Sequence, residues 1–246
     1  MQRKLPYLAI LIMIFVWTAA AQSDPLVTNE YRFTQIVSKP VSDKIVLFTY
    51  SGYTRSPEKE FRSVYGSPPN MIYLVKPWLE ILVGMVGVYT KNDDNSHSWE
   101  IRPITGVKLY IPNKQKLNIY SFTRFENRFI IQNGDVQSIP RLRNRFGVEA
   151  PLTKTKKGWT TKTFYVMADI EPIWRLDEKR LQVLRLRGAL GYIFNKNVRA
   201  EFIYHTELSG PENRHLEHTG NIWRLNLKVL LPRHGFRYPK DADGID

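Results

Sequence analysis

The chain has 246 residues, a formal net charge of +13 and no cysteine, which excludes disulfide cross-links and lipid attachment at an N-terminal cysteine. A basic balance fits nucleic acid or an anionic surface as a partner. Because the chain begins with an export signal, nucleic acid is not the expected partner, and contact with anionic lipid headgroups or an internal set of arginines fits the charge better.

The first 21 residues have the layout of a secretory signal peptide. Arg3 and Lys4 form a positive start, residues 5–18 are apolar, and residues 19–21 are three alanines, the small residues that precede a cleavage site. The apolar run is shorter than the roughly 20 residues of a membrane-spanning helix. We therefore expect export and cleavage before Gln22.

Beyond this segment, polar and apolar residues alternate with a period of two, which predicts β-strands rather than helices. Ten stretches show the pattern: residues 44–54, 69–76, 79–91, 97–111, 116–131, 138–152, 161–175, 180–194, 198–208 and 218–231. Residues 31–39 could form a further strand, but they alternate only weakly. Residues 55–65, which contain Pro57, are predicted to form a loop. We assign residues 22–42 to an N-terminal segment, residues 43–231 to one β-barrel and residues 232–246 to a polar tail.

The clearest alternation places three arginines on one face of a strand, opposite a mostly apolar face. Arg141, Arg143 and Arg145 occupy alternate positions in residues 138–152. Only helices and closed barrels satisfy every backbone group in lipid, and a charge facing lipid near the midplane costs roughly 2–4 kcal/mol. The sequence therefore predicts an all-β fold, a closed antiparallel transmembrane barrel of about ten strands, or twelve. Its short turns would be periplasmic, its longer loops outside, and its charges in the lumen.

The charges assigned to the lumen form the candidate site, in which arginine forks and carboxylates pair between strands. Its residues are Arg124, Glu126, Arg128, Arg141, Arg143, Arg145, Glu149, Asp169, Glu171, Arg185, Arg187, Arg199, Glu201 and Arg224. Glu126, Asp169 and Glu171 are the expected partners of the three alternating arginines. Since cations outnumber acids, this lattice either only fills the barrel or also binds or passes small anionic solutes, as a porin does.

Two other interpretations stay open. A soluble secreted or periplasmic barrel that binds a ligand would need an apolar interior and a polar exterior. A hydrolase in a membrane barrel could use His205 with Glu207 and Asp169, but no serine or acid pair has a diagnostic spacing, so no catalytic residue is assigned. The five histidines show no metal-binding motif, and neither a metal nor a cofactor is expected.

Several of these stretches resemble a bacterial family known as the domain of unknown function 2490. The resemblance lies in residues 125–129 (FENRF), residues 141–146 (RLRNRF), Glu171, residues 186–194 (LRGALGYIF), Glu201 and Tyr204. It covers about residues 43–231, and it implies a signal-bearing barrel of the bacterial outer membrane without a known activity. The partners expected of such a barrel are outer-membrane lipid, the barrel-assembly machinery and small anionic solutes.

Overall fold

A computed structural model describes residues 27–58, 61–92, 96–113, 117–152, 159–210 and 216–232. Every regular element within these residues is a β-strand. None of them forms a helix that is long and apolar enough to cross a membrane. The predicted signal peptide and residues 233–246 of the predicted tail lie outside the described residues.

Twelve strands follow one another along the described chain. They are β1 (Thr28–Pro40), β2 (Ile45–Ser56), β3 (Phe61–Gly66), β4 (Asn70–Lys76), β5 (Leu79–Lys91), β6 (His97–Ile111), β7 (Asn118–Gln132), β8 (Asp135–Pro151), β9 (Thr163–Arg175), β10 (Arg180–Asn195), β11 (Val198–Ser209) and β12 (Glu217–Leu230). All ten predicted strands are present, and β1 and β3 are additional.

The strands close into a mixed β-barrel. From β5 to β12 each strand pairs antiparallel with the next one along the chain. β1 completes the circle, since it pairs antiparallel with β2 and parallel with β12. β3 and β4 lie end to end between β2 and β5, because both pair with each of these two strands. The wall therefore has 11 positions.

An odd number of positions explains the parallel contact, because strands that alternate in direction around a ring must then leave one parallel pair. The separate N-terminal segment predicted over residues 22–42 is wrong for residues 28–40, which form β1 and fill the gap between β2 and β12. The loop predicted over residues 55–65 is also wrong, since β2 extends to Ser56 and β3 begins at Phe61.

The two ends of the barrel are called here the N-rim, which holds Thr28, and the C-rim, which holds Leu230.

Short and long connections occur at both rims. The C-rim has the two-residue turns at residues 77–78 and 196–197, but it also has the longest connection, residues 152–162. The N-rim has the two-residue turn at residues 133–134 and a longer connection at residues 210–216. Between the strands that the structure describes, short turns and longer loops are therefore not separated onto opposite rims as predicted, and connection length does not orient the barrel.

The outer face of the barrel is apolar over most of its circumference. The outward positions of β6–β12 hold no Lys, Arg, Asp or Glu, and large side chains such as Trp99 and Phe202 are more than half exposed there, at 59% and 52%. Some polar residues on this face bond to each other: Asn144 donates to Thr123 at 3.1 Å, and Ser138 donates to Asn127 at 3.0 Å.

The interior is filled by side chains of two kinds. An apolar cluster occupies the part lined by β2 and β4–β7, and its residues are Val46, Phe48, Ile72, Leu74, Leu82, Val86, Ile104, Tyr120 and Phe122. Charged residues occupy most of the remaining interior. The expected charged lining is therefore confined to part of the barrel, because on β2 and β4 the inward positions carry mainly apolar side chains.

Tyrosine rings cover glycines on neighbouring strands inside the barrel. Tyr165 lies opposite Gly191, and Tyr120 lies opposite Gly147. A Cβ atom added at Gly191 would lie 2.2 Å from Cζ of Tyr165. The Tyr165 ring is 1% exposed and its hydroxyl donates to Glu201 at 2.5 Å, so the ring is held in place.

Gly191→Ala is therefore expected to lower the free energy of unfolding by about 1–3 kcal/mol, the usual cost of overpacking. Thermal unfolding in detergent measures the change. Gly87→Ala is the matched control, because the nearest atom to an added Cβ there is 3.8 Å away. Equal unfolding temperatures for the two variants would show that the close approach at Gly191 does not constrain the interior.

Candidate functional site

Arg143 lies at the centre of the charged part of the interior. Its guanidinium donates to both carboxylate oxygens of Glu126 on β7 at 3.3 Å and to Glu171 on β9 at 2.8 Å. All three residues are at most 4% exposed. Because side chains alternate across each strand, the inward positions of three adjacent strands bring one guanidinium between two carboxylates. Arg143 thus links β7, β8 and β9 through side chains as well as through the backbone ladder.

Glu171 collects three arginines. Besides Arg143, it accepts a hydrogen bond from Arg145 at 3.0 Å and forms an ion pair with Arg185 at 3.6 Å. Glu126 likewise has a second cation, since Arg124 lies 3.5 Å from it. Each of these two buried carboxylates therefore lies within ion-pair distance of more than one guanidinium.

Three further acids accept hydrogen bonds from side chains on other strands. Asp169 accepts two hydrogen bonds from Arg187, at 2.6 and 2.7 Å. Glu201 accepts hydrogen bonds from Tyr165 at 2.5 Å, Asn226 at 3.2 Å and Lys228 at 2.8 Å. Glu149 accepts a hydrogen bond from Asn118 at 3.1 Å. These contacts extend the lattice from β7 around to β12.

The charged interior continues toward the N-rim. Glu100 accepts hydrogen bonds from Arg102 at 2.8 Å and from Arg128 at 2.5 and 2.7 Å. Arg141 lies next to this group on β8 and is half-buried. Within the part of the chain that the structure describes, Arg141 makes no ion pair, and its Nε has no hydrogen-bond partner. Although Arg141 lies opposite Glu126, a partly accessible guanidinium that forms no ion pair is a potential ligand for an anion.

Every residue of the predicted lattice lies on an inward position, including Arg199 on β11 and Arg224 on β12. Glu126 and Glu171 contact the alternating arginines as predicted. Asp169, the third candidate partner, lies opposite Arg187 on β10 and accepts hydrogen bonds from it.

Two inward pairs were not predicted. Arg32 and Glu30 on β1 form an ion pair at 2.5 Å, and Glu80 on β5 lies opposite Lys108 on β6, both of them buried. Glu80 is the one negatively charged residue of β5, and it alternates with the apolar residues Leu79 and Ile81, which point outward. This alternation could have predicted that Glu80 points into the barrel.

The side chains considered for hydrolysis are not arranged as a catalytic set. His205 is 0% exposed, and neither of its ring nitrogens has a hydrogen-bond partner among the described residues. Asp169 is held by Arg187, and Glu207 accepts a hydrogen bond from Arg185. Across the described ranges, no three His, Asp or Glu side chains are grouped so that they could hold a metal ion.

Arginine–acid pairing also occurs at the N-rim, between the end of β9 and the β9–β10 turn. Arg175 donates to Asp177 at 2.6 Å and pairs with Glu178 at 2.5 Å. The hydrogen bond from Arg175 lowers the pKa of the Asp177 carboxyl below its ordinary value. Because this pair is open to solvent, it is a natural reference for the buried pairs.

No curated protein matches the chain. A family model described as a protein of unknown function, DUF2490, matches residues 29–214. The match includes Arg143 and both of its carboxylate partners. The chain therefore belongs to the DUF2490 family, whose function is unknown.

Proposed function

We propose that this protein is an outer-membrane β-barrel that reaches the membrane after signal-peptide export, and whose interior is closed by its own side chains. The observation that carries the proposal is the distribution of charge across the wall. The outward positions of β6–β12 are free of Lys, Arg, Asp and Glu, whereas the inward positions of the same strands hold the buried ion pairs.

This distribution is the reverse of that in a soluble barrel, where a polar outer face meets water. The outward cations support the same orientation. They are Lys39, Arg55, Arg62, Lys76 and Lys91, and each lies at or next to the end of its strand. A cation facing lipid costs roughly 2–4 kcal/mol at the midplane but only about 0–1 kcal/mol near the interfaces. The strand ends are therefore the places where a membrane wall tolerates such residues.

A closed interior follows from the way in which the barrel is filled. The apolar cluster around Phe48 and Phe122 occupies one part, and the lattice around Arg143 occupies another. Arginines that are paired on two sides cannot move aside without leaving a buried carboxylate unmatched, which costs several kcal/mol. The lattice thus acts as a structural filling that ties adjacent strands together.

The closed barrel is tested by electrical recording in a planar lipid bilayer. We expect the wild-type protein, with its folded state verified by heat-modifiable migration in detergent, to insert without steady ion conductance. Arg143→Gln is recorded beside the wild type, because it removes the cation at the centre of the lattice. Stable anion-selective channels that lose their selectivity in Arg143→Gln would contradict a closed interior and favour a conducting path.

A second candidate function is the binding of small anions at the N-rim. It is supported by Arg141, which forms no ion pair within the described ranges although it lies opposite Glu126, and which lies near the cations Arg102 and Arg128. This function is compatible with a closed barrel, because the anion would enter from one rim only. Its signature would be an anion-dependent rise in unfolding temperature that disappears in Arg141→Gln.

A further inference from the structure

The outer surface carries a groove at the seam where β1 pairs in parallel with β12. The groove has a volume of about 580 Å³, and its outward lining residues include Tyr31, Phe33, Tyr53, Phe202, Trp223 and Leu225. These side chains are largely aromatic, and Phe202 stacks on Trp223 with 5.9 Å between ring centroids. The groove is thus an apolar surface depression on the face of the barrel that the proposed function places against lipid.

A row of cations begins at the N-rim edge of this groove. Arg55, which itself lines the groove, lies opposite Arg62 on β3, and Arg62 lies opposite Lys91 on β5. All three side chains are exposed and point outward. Neighbouring strands are separated by about 4.8 Å, so the three residues span roughly 10 Å along the wall. No ion pair joins any of them to an acid within the described ranges.

An aromatic cluster flanks the other end of the row. Lys91 lies opposite His97 on β6, and the Tyr89 hydroxyl lies 2.6 Å from Nδ1 of His97. The Tyr89 and Trp99 rings pack with 4.8 Å between their centroids. Tyrosine and tryptophan are the residues that favour the level of the lipid headgroups. The cation row therefore lies at the height where headgroup phosphates are found.

We infer that this surface binds a phosphate-bearing membrane lipid, with its phosphate on Arg55, Arg62 and Lys91 and one acyl chain in the groove at the β1–β12 seam. The inference rests on the proposed membrane location. Guanidinium forks match phosphate oxygens, and a basic cluster beside an apolar surface attracts anionic headgroups. The groove and the cations are contiguous through Arg55, so a single lipid molecule engages both.

Native mass spectrometry of the purified full-length chain in detergent tests this site. We expect phosphatidylglycerol to bind in preference to phosphatidylcholine, and its affinity to fall about fivefold for each cation removed by Arg55→Gln or Arg62→Gln. Phe33→Ser should weaken the binding of the same lipid through the groove. Lys39→Gln is the matched control, because Lys39 is an exposed outward cation near the C-rim and should leave the affinity unchanged.

Equal binding of the two lipids, or equal loss in Lys39→Gln and Arg55→Gln, would overturn the site. Displacement of the lipid by millimolar inorganic phosphate would also overturn the site, because it would identify free phosphate as the ligand. A dimer of the chain that excludes lipid from the groove would overturn it as well. The membrane location is scored separately, by resistance of the reconstituted protein to carbonate extraction from vesicles. Extraction of the wild type would overturn the proposed function and the site together, whereas stable insertion without lipid preference would overturn the site alone.

Discussion

Glu171→Gln is expected to destabilise the barrel by about 3–5 kcal/mol, the cost of removing one partner from a buried ion pair. The carboxylate of Glu171 forms ion pairs with Arg143, Arg145 and Arg185, and Glu171 is 2% exposed. A neutral amide of the same size keeps the packing but leaves cations facing each other in a region that water does not reach. Thermal or urea unfolding in detergent would measure the loss.

Asp177→Asn is the control for this experiment. Asp177 also accepts a short hydrogen bond from an arginine, at 2.6 Å, but the pair lies at an exposed turn of the N-rim. Exposed pairs contribute little to stability, so the unfolding of Asp177→Asn should resemble that of the wild type. If Glu171→Gln unfolded like Asp177→Asn, the buried lattice would not hold the strands together, and its role in closing the barrel would have to be abandoned.

Leu225→Arg is expected to impair membrane insertion by roughly 2–4 kcal/mol where this position lies near the midplane, and by less toward the interface. Leu225 is an outward residue of β12 and is 47% exposed, whereas the neighbouring Arg224 points inward and is 4% exposed. The substitution places a cation on the apolar face without disturbing the lattice. The fraction of heat-modifiable barrel that forms in vesicles measures the effect.

Val41→Arg is the control for Leu225→Arg. Val41 is also an exposed apolar residue, at 44%, but it lies in the β1–β2 connection of the C-rim and not in the wall. Its substitution should leave insertion unchanged. Normal insertion of Leu225→Arg would mean that this part of the outer face meets water or another protein instead of lipid.

The strands and the direction of their charged faces could be predicted because both depend on local spacing. Arg141, Arg143 and Arg145 share a face at two-residue intervals whatever the strand pairs with. Their partners depend on register, which the lengths of the connections set. Glu126 and Glu171 were correctly chosen from adjacent strands, but Asp169 lies directly opposite Arg187 and pairs there. Asp169 and Glu171 are successive inward residues of β9, so a shift of one inward position is enough to change which arginine an acid contacts.

Two strands were left open or missed for identifiable reasons. β1 mixes polar and apolar side chains on both faces, with Arg32 and Ile36 inward and Phe33 and Gln35 outward. Its parallel contact with β12 joins residues that are far apart in the sequence, so no turn between them indicates the pairing. β3 is short, and residues 67–69 (SPP) separate it from β4. Prolines cannot donate to a strand ladder, which explains why one wall position is divided into two segments.

Site-directed cysteine labelling in the outer-membrane fraction tests the central claim most directly. Leu82 and Val83 are consecutive on β5, but Leu82 is 5% exposed inside the barrel and Val83 is 46% exposed outside. The native chain has no cysteine, so each substituted thiol reports alone. A lipid-phase maleimide should label Val83→Cys and spare Leu82→Cys, while a water-soluble maleimide should label neither in the intact membrane. Labelling of Val83→Cys by the water-soluble reagent, or recovery of the protein in the soluble fraction, would contradict a barrel whose apolar face meets lipid.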